Sequence, residues 1–250
     1  MPSQVVALTQ LDTMPSYTTQ AWQSDDFADL RWWVTTAGSC AVPVELGRML
    51  SYGRAGGSSR GAERLMRVSE LARFLAASNA ESLDAREARD FSGGDGSGGG
   101  GSGAPVAYMS QHRLLHHCAV LRARAEVPPY TLGRLRSANA WLGTAGTVTP
   151  LHTDEADNLL CQLAGVKYVR LYPPAARDSL YPFRSAGNTA ANEYSEVCCE
   201  SPDAEKHPLF AGEGRYEEVL LSPGEALYIP RGWFHYVRAL TSACSVNWWF

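Results

Sequence analysis

His152 and Asp154 stand two residues apart in TPLHTDEADN. In an extended strand that spacing turns both side chains to one face, so an imidazole and a carboxylate can aim at a common point. A third ligand must then arrive from elsewhere in the fold. His235, in ALYIPRGWFHYVRAL, is the candidate, because it follows a Gly-containing turn and an apolar run ending at Pro230. Two imidazoles and one carboxylate form the facial triad that suits non-haem Fe(II) and leaves neighbouring coordination positions open. An isolated H-x-D pair is more often a hydrogen-bonded structural pair than a metal site. Lys167 changes the balance. In QLAGVKYVRLYPP, Lys167, Val169 and Leu171 share one strand face, which puts an ammonium in line with inward apolar residues. A buried lysine needs an anion. The distal carboxylate of 2-oxoglutarate would supply it, while the 2-oxo acid end of that molecule chelates the metal. The competing reading is an edge lysine that snorkels to water.

These side chains need elements to hold them. From Ala138 onward the chain reads as short β-rich runs, ANAWLG, NLLCQLAG, KYVRLYPP, EEVLLSPGEALYIP and ACSVNWWF, punctuated by Gly and Pro, as in a sandwich or small barrel. Ahead of them, RVSELARFLAAS predicts a short amphipathic helix with Ser69 as N-cap and Leu71, Phe74 and Leu75 as its buried stripe. QHRLLHHCAVLRA predicts a second helix, ended by Pro128-Pro129. Between the two lies a Gly/Ser tract, Ser92 to Pro105, which buries no apolar surface and is read as a solvated insertion within one domain spanning residues 1–250; a linker between two domains is the alternative.

The 250 residues carry a formal charge of −4, which gives no general attraction to nucleic acid or to anionic membranes. Six cysteines are scattered without a CxxC pair and are read as reduced thiols. The opening residues lack a basic start followed by an apolar run, and no stretch of about 18 apolar residues occurs. The expectation is an intracellular protein of nucleus or cytoplasm, with no membrane partner.

From Val42 to the terminal SVNWWF the chain resembles the JmjC-domain 2-oxoglutarate oxygenases, and within them the group described both as arginyl hydroxylases and as histone lysine demethylases. AYMSQHRL, NAWLGTAGTVTPLHTDEADNLLCQLAGVKYVRLYPP and LSPGEALYIPRGWFHYVRAL carry the resemblance. It implies a mainly β fold with flanking helices, the double-stranded β-helix or cupin-like jelly-roll barrel. It implies Fe(II) on His152, Asp154 and His235, and 2-oxoglutarate paired with Lys167. Tyr108, Thr149 and Asn158 match positions that hydrogen-bond the cosubstrate, and Trp141 matches an aromatic wall of its pocket. Glu45 and Gln111 match positions that face the substrate side chain, and a carboxylate at Glu45 could accept two parallel hydrogen bonds from a guanidinium.

The resemblance further implies that O2 and 2-oxoglutarate are consumed to give succinate and carbon dioxide while a C–H bond of a protein or peptide substrate is hydroxylated. Histones and ribosomal or chromatin-associated proteins are the implied substrate classes. Arginine hydroxylation is the favoured outcome; hydroxylation of an N-methyl group, which ends as lysine demethylation, is the alternative. Residues 1–40 match the family pattern poorly, and the expectation there is a shortened or altered opening strand and helix.

Two other classes compete. His112 and His116 at i, i+4 in HRLLH could serve a zinc hydrolase, but Arg113 stands where an H-E-x-x-H enzyme carries its general base. A cupin-like binding module without turnover is the other.

Overall fold

The computed structural model describes residues 6–8, 28–48, 62–79, 105–125, 127–183, 193–210 and 213–250. The Gly/Ser tract expected as an insertion lies outside them up to Ala104, and Pro105 opens a strand. Of the opening segment, a three-residue strand β1 (Val6–Leu8) and helix α1 (Leu30–Ala37) are described.

The strands that follow are β2 (Ala41–Arg48), β3 (Ala62–Arg67), β4 (Pro105–His112), β5 (Ser137–Gly143), β6 (Val148–His152), β7 (Asn158–Ala164), β8 (Lys167–Tyr172), β9 (Pro182–Phe183), β10 (Tyr194–Ser195), β11 (Glu217–Leu221), β12 (Ala226–Ile229), β13 (Phe234–Ala239) and β14 (Ala243–Trp249). They form two antiparallel sheets, ordered β1-β12-β7-β14-β5-β4-β2-β3 and β11-β8-β13-β6-β10-β9. This is the mainly β jelly-roll expected from the sequence.

Strand alternation explains how the larger sheet can be buried on both sides. One face of β5, β7 and β14 carries Ala140, Leu142, Leu159, Cys161, Val246 and Trp248, which pack beneath Trp33 of α1 and Leu71 and Leu75 of helix α2 (Val68–Asn79). The opposite face of the same strands carries Asn139, Trp141, Asn158, Gln162, Ser245 and Asn247. It turns toward the smaller sheet, whose inward residues include Lys167, Val169 and Leu171 of β8 and His235 and Val237 of β13. The barrel interior is therefore lined by polar side chains on one wall, while helices seal the apolar outside of that wall.

Two expectations for the helices change. α2 begins at Val68, one residue before Ser69, and its start is stabilised by Glu70, whose carboxylate accepts from the Arg67 N–H at 2.6 Å. The second predicted helix is broken. His112 ends β4, Leu114–His117 forms a single turn (α3), and Ala119–Arg124 forms another (α4), with Cys118 extended between them. His112 and His116 thus belong to different elements, which removes the i, i+4 metal pair of the zinc-hydrolase reading.

Lys167 depends on a two-residue connection, Gly165-Val166, between β7 and β8. Gly165 has φ +70°, and a Cβ there would lie 2.0 Å from the Ser242 carbonyl oxygen. The buried Gln162 side chain donates to the carbonyls of Ala164 at 2.7 Å and Gly165 at 3.0 Å, and it accepts from Ser245 Oγ at 2.6 Å. Gly165→Ala is therefore expected to destabilise the fold by more than the about 1–3 kcal/mol of backbone strain alone. Urea unfolding checks this, and a midpoint equal to wild type would contradict the close approach.

Candidate metal and cosubstrate site

The two sheets enclose a cavity of about 190 Å³ that opens to solvent. His152 and His235 lie directly opposite one another on the antiparallel pair β6 and β13, with ring centroids 4.2 Å apart. Each ring is set by its own backbone: Nδ1 of His152 donates to the Pro150 carbonyl at 2.8 Å and Nδ1 of His235 to the Trp233 carbonyl at 3.3 Å. With Nδ1 turned to a backbone carbonyl, each ring presents its Nε2 to the cavity. Burial, with the neighbouring His152 ring, holds the His235 pKa down at about 4, so its imidazole is neutral at physiological pH and able to ligate a metal.

Asp154 sits two residues beyond the end of β6, in a loop rather than in the strand. Its Oδ1 is 3.7 Å from His152 Nε2 and its Oδ2 is 3.6 Å from His235 Nε2. The three ligand atoms lie within 4.8 Å of one another, and all three residues are buried. A carboxylate and two imidazoles so placed form a donor set for a divalent transition metal with one side left open.

Oδ2 of Asp154 accepts two hydrogen bonds, from Asn158 Nδ2 and from Trp249 Nε1, both at 3.0 Å. These hold the carboxylate in place and bear part of its charge.

On the same cavity, Lys167 is 3% exposed and is aimed at the Tyr108 ring, 5.9 Å from Nζ to the centroid. No carboxylate pairs with it among the described residues. Burial pushes its pKa down to about 8, with the Cys244 thiol opposing that shift. The Tyr108 hydroxyl lies 3.3 Å from Thr149 Oγ1, and burial drives its pKa upward, so it is a neutral phenol. Trp141 stands beside Tyr108 at 6.0 Å between ring centroids. Gly143, opposite Tyr108 in the β4–β5 ladder, leaves room for that ring: a Cβ there would come within 2.7 Å of it.

Two ladder irregularities bring side chains into the cavity that strict alternation would send outward. Between β6 and β13 the register slips so that Val237 pairs with Thr149 while His235 pairs with His152, and both Thr149 and His152 reach the cavity. In β4 the slip falls between Met109 and His112, where Gln111 takes φ +47°. This bulge turns Gln111 to the cavity mouth next to Ser110, which shares the Tyr108 face by alternation; Glu45 of β2 stands beside them, its Oε1 accepting from Ser110 Oγ at 2.5 Å. All ten residues singled out from the sequence thus reach one cavity.

The sequence reading missed Tyr194, Asn247 and Trp249, which also line it. Tyr194 stacks on His152 at 5.7 Å and 21°. Asn247 and Trp249 share a face by alternation along ACSVNWWF, a signal that was open to reading.

The cupin-like domain family matches residues 14–250 of this chain. The chain belongs to the cupin-like JmjC domain family. It is 41% identical over 150 residues to a protein of Xenopus tropicalis named lysine-specific demethylase 8, across 58% of this chain and 33% of that protein. It is 32% identical over 245 residues to the Danio rerio protein of the same name, across 96% of this chain and 51% of that one. The Jumonji C domain-containing protein 5 of Drosophila melanogaster is 32% identical over 243 residues, across 93% and 53%. The chain spans about a third to a half of the length of these relatives. The family match covers most of the segment expected to match poorly, since it begins at residue 14. Among the described residues no helix is long and apolar enough to cross a membrane.

The geometry predicts one divalent transition metal bound per chain. Asp154→Ala and His235→Ala should each abolish high-affinity Mn(II) binding in calorimetric titrations, because two remaining donors cannot hold the ion against water. Binding retained by either variant would contradict the three-residue site.

Proposed function

We propose that this chain is an Fe(II)- and 2-oxoglutarate-dependent oxygenase that hydroxylates a protein side chain, arginine in the first instance. The observation that carries this reading is the presence, in one cavity, of a His-Asp-His donor set and a buried lysine with no carboxylate partner among the described residues. A metal site alone is served by the first of these. The lysine asks for an anion on the same ligand, and a 2-oxo acid with a second carboxylate meets both requirements.

The residues have separable tasks. His152, Asp154 and His235 would hold Fe(II), which when bound supplies the activation of O2. Lys167 would pair with the distal carboxylate of the cosubstrate, with the hydroxyls of Tyr108 and Thr149 beside it and Trp141 as a wall. Asn158 would present its second amide N–H to the cavity, the first being used on Asp154. Glu45 and Gln111 would meet the substrate at the mouth. Ser110 fixes one oxygen of Glu45, and an oriented carboxylate is a good acceptor for the parallel N–H groups of a guanidinium. Coproducts would be succinate and carbon dioxide. Proteins of histone, ribosomal or chromatin-associated type are the substrate class we favour, with action in nucleus or cytoplasm.

Lysine demethylation is the second reading. It is favoured by the names of two relatives, and it needs the same oxidation directed at an N-methyl carbon, with collapse of the product to an amine and formaldehyde.

The lysine makes a pH prediction. An anion against Nζ raises the Lys167 pKa above its free value of about 8, so binding takes up a proton. Affinity for 2-oxoglutarate should be highest below pH 8 and fall as pH rises through it. Lys167→Met should weaken binding by about 10- to 100-fold, the equivalent of a charge-assisted hydrogen bond of about 1.5–3 kcal/mol. Calorimetry with the Mn(II)-loaded protein checks both; a pH-independent affinity would remove Lys167 from the role.

Mass spectrometry separates the two outcomes. On arginine-containing peptides the expected product gains one oxygen, and Glu45→Gln should lower its yield while leaving 2-oxoglutarate affinity unchanged. Loss of a methyl group from methylated lysine peptides, with no oxygen gained on arginine, would overturn arginine hydroxylation in favour of demethylation.

A further inference from the structure

Behind the metal ligands runs a chain of side-chain amides along the inner face of the larger sheet. Asn158 Nδ2 donates to Asp154 Oδ2, and Asn158 Oδ1 accepts from Asn247 Nδ2 at 3.0 Å. Asn247 Oδ1 in turn accepts from Trp141 Nε1 at 2.8 Å and from Asn139 Nδ2 at 3.3 Å. Asn139, Asn158 and Asn247 are 2%, 6% and 1% exposed.

The polarity of this chain is forced from both ends. An indole N–H can only donate, so the Asn247 atom facing Trp141 must be its oxygen, and its NH2 must point to Asn158. At the other end Asp154 Oδ2 already accepts from the Trp249 indole N–H, and Asn158 adds a second donor by turning its NH2 to Asp154 and its oxygen to Asn247. The two requirements agree. Reversing either amide would set two acceptors or two donors face to face between buried side chains, at a cost of about 1–3 kcal/mol.

We infer that Asn247 is a positioning residue for the metal centre: held by Trp141 and Asn139, it locks the Asn158 amide so that N–H groups alone face Asp154 and the cavity. It acts on the metal through Asn158 and Asp154. The same chain ties the aromatic wall at Trp141 to the metal carboxylate. This inference rests on the metal-site reading above.

The test is a double-mutant cycle read as Mn(II) affinity, with apo-protein thermal unfolding followed alongside. Asn247→Asp keeps an acceptor for Trp141 and Asn139 but loses the donor to Asn158. It should weaken Mn(II) binding by about 10-fold or more, the scale seen when groups that orient metal ligands are lost. Asn158→Ala should weaken it by a similar factor. In the Asn158→Ala background, Asn247→Asp should have no further effect on Mn(II) affinity, whatever it does to the unfolding temperature. Trp141→Phe, which keeps a ring and removes the indole N–H, should shift affinity in the same direction and covers the case in which Asn247→Asp does not fold.

Equal Mn(II) affinity of wild type and Asn247→Asp, fully multiplicative effects in the double variant, or a Trp141→Phe protein that binds as wild type would each overturn the positioning role while leaving the metal site standing. A wild-type chain that binds no Mn(II) would instead remove the metal reading, and the positioning role with it.

Discussion

The arrangement hinges on keeping charged and polar groups inside a barrel with partners for all but those that face the cavity. A buried carboxylate, two buried imidazoles and a buried ammonium would together be prohibitive in an apolar core. Here Asp154 is held by an amide and an indole, each imidazole donates to the backbone carbonyl two residues before it, and the amides behind them satisfy one another. What remains open is what a ligand would complete: the Nε2 atoms, the second oxygen of Asp154, and Lys167.

That interior is possible because the larger sheet has two unlike faces. Its outer face is apolar and is covered by α1 and α2 and by the short helices near Leu114 and Leu121. The fold's stability can be drawn from there, where large side chains such as Trp33 and Trp248 are fully buried, while the inner face is given over to polar groups. The smaller sheet carries His152, His235 and Lys167, and part of its packing, through Tyr172, Phe210 and Phe234, lies on its outside, away from the cavity. The site is thereby separated from these two cores by the thickness of a sheet, while a third apolar cluster around Leu160, Leu171 and Ile229 shares the interior with it.

Much of this was legible in the sequence. Alternation in KYVRLY placed Lys167 inward, and the β-rich runs after Ala138 all became strands. The His-Asp-His set could be proposed from residue types and its H-x-D spacing, although the strand argument was incomplete: His152 ends β6, and Asp154 reaches the site from the loop beyond it. Other features had no local signal. The register slips beside Thr149 and at Gln111 arise from pairing with strands distant in the chain, so alternation alone could not show that Thr149 joins His152 in the cavity. Tyr194 belongs to a strand of two residues, too short to announce itself. The helix read through His112 and His116 failed because periodicity was continued across a point where β4 is still paired.

The central claim is that the His-Asp-His set and Lys167 serve a single small molecule bound to iron. The most direct measurement is visible absorption of the wild-type chain under nitrogen with Fe(II), before and after 2-oxoglutarate. A metal-to-ligand charge-transfer band should appear only with both present and be lost in Asp154→Ala. A protein that binds Fe(II) yet develops no band at saturating 2-oxoglutarate would contradict the account.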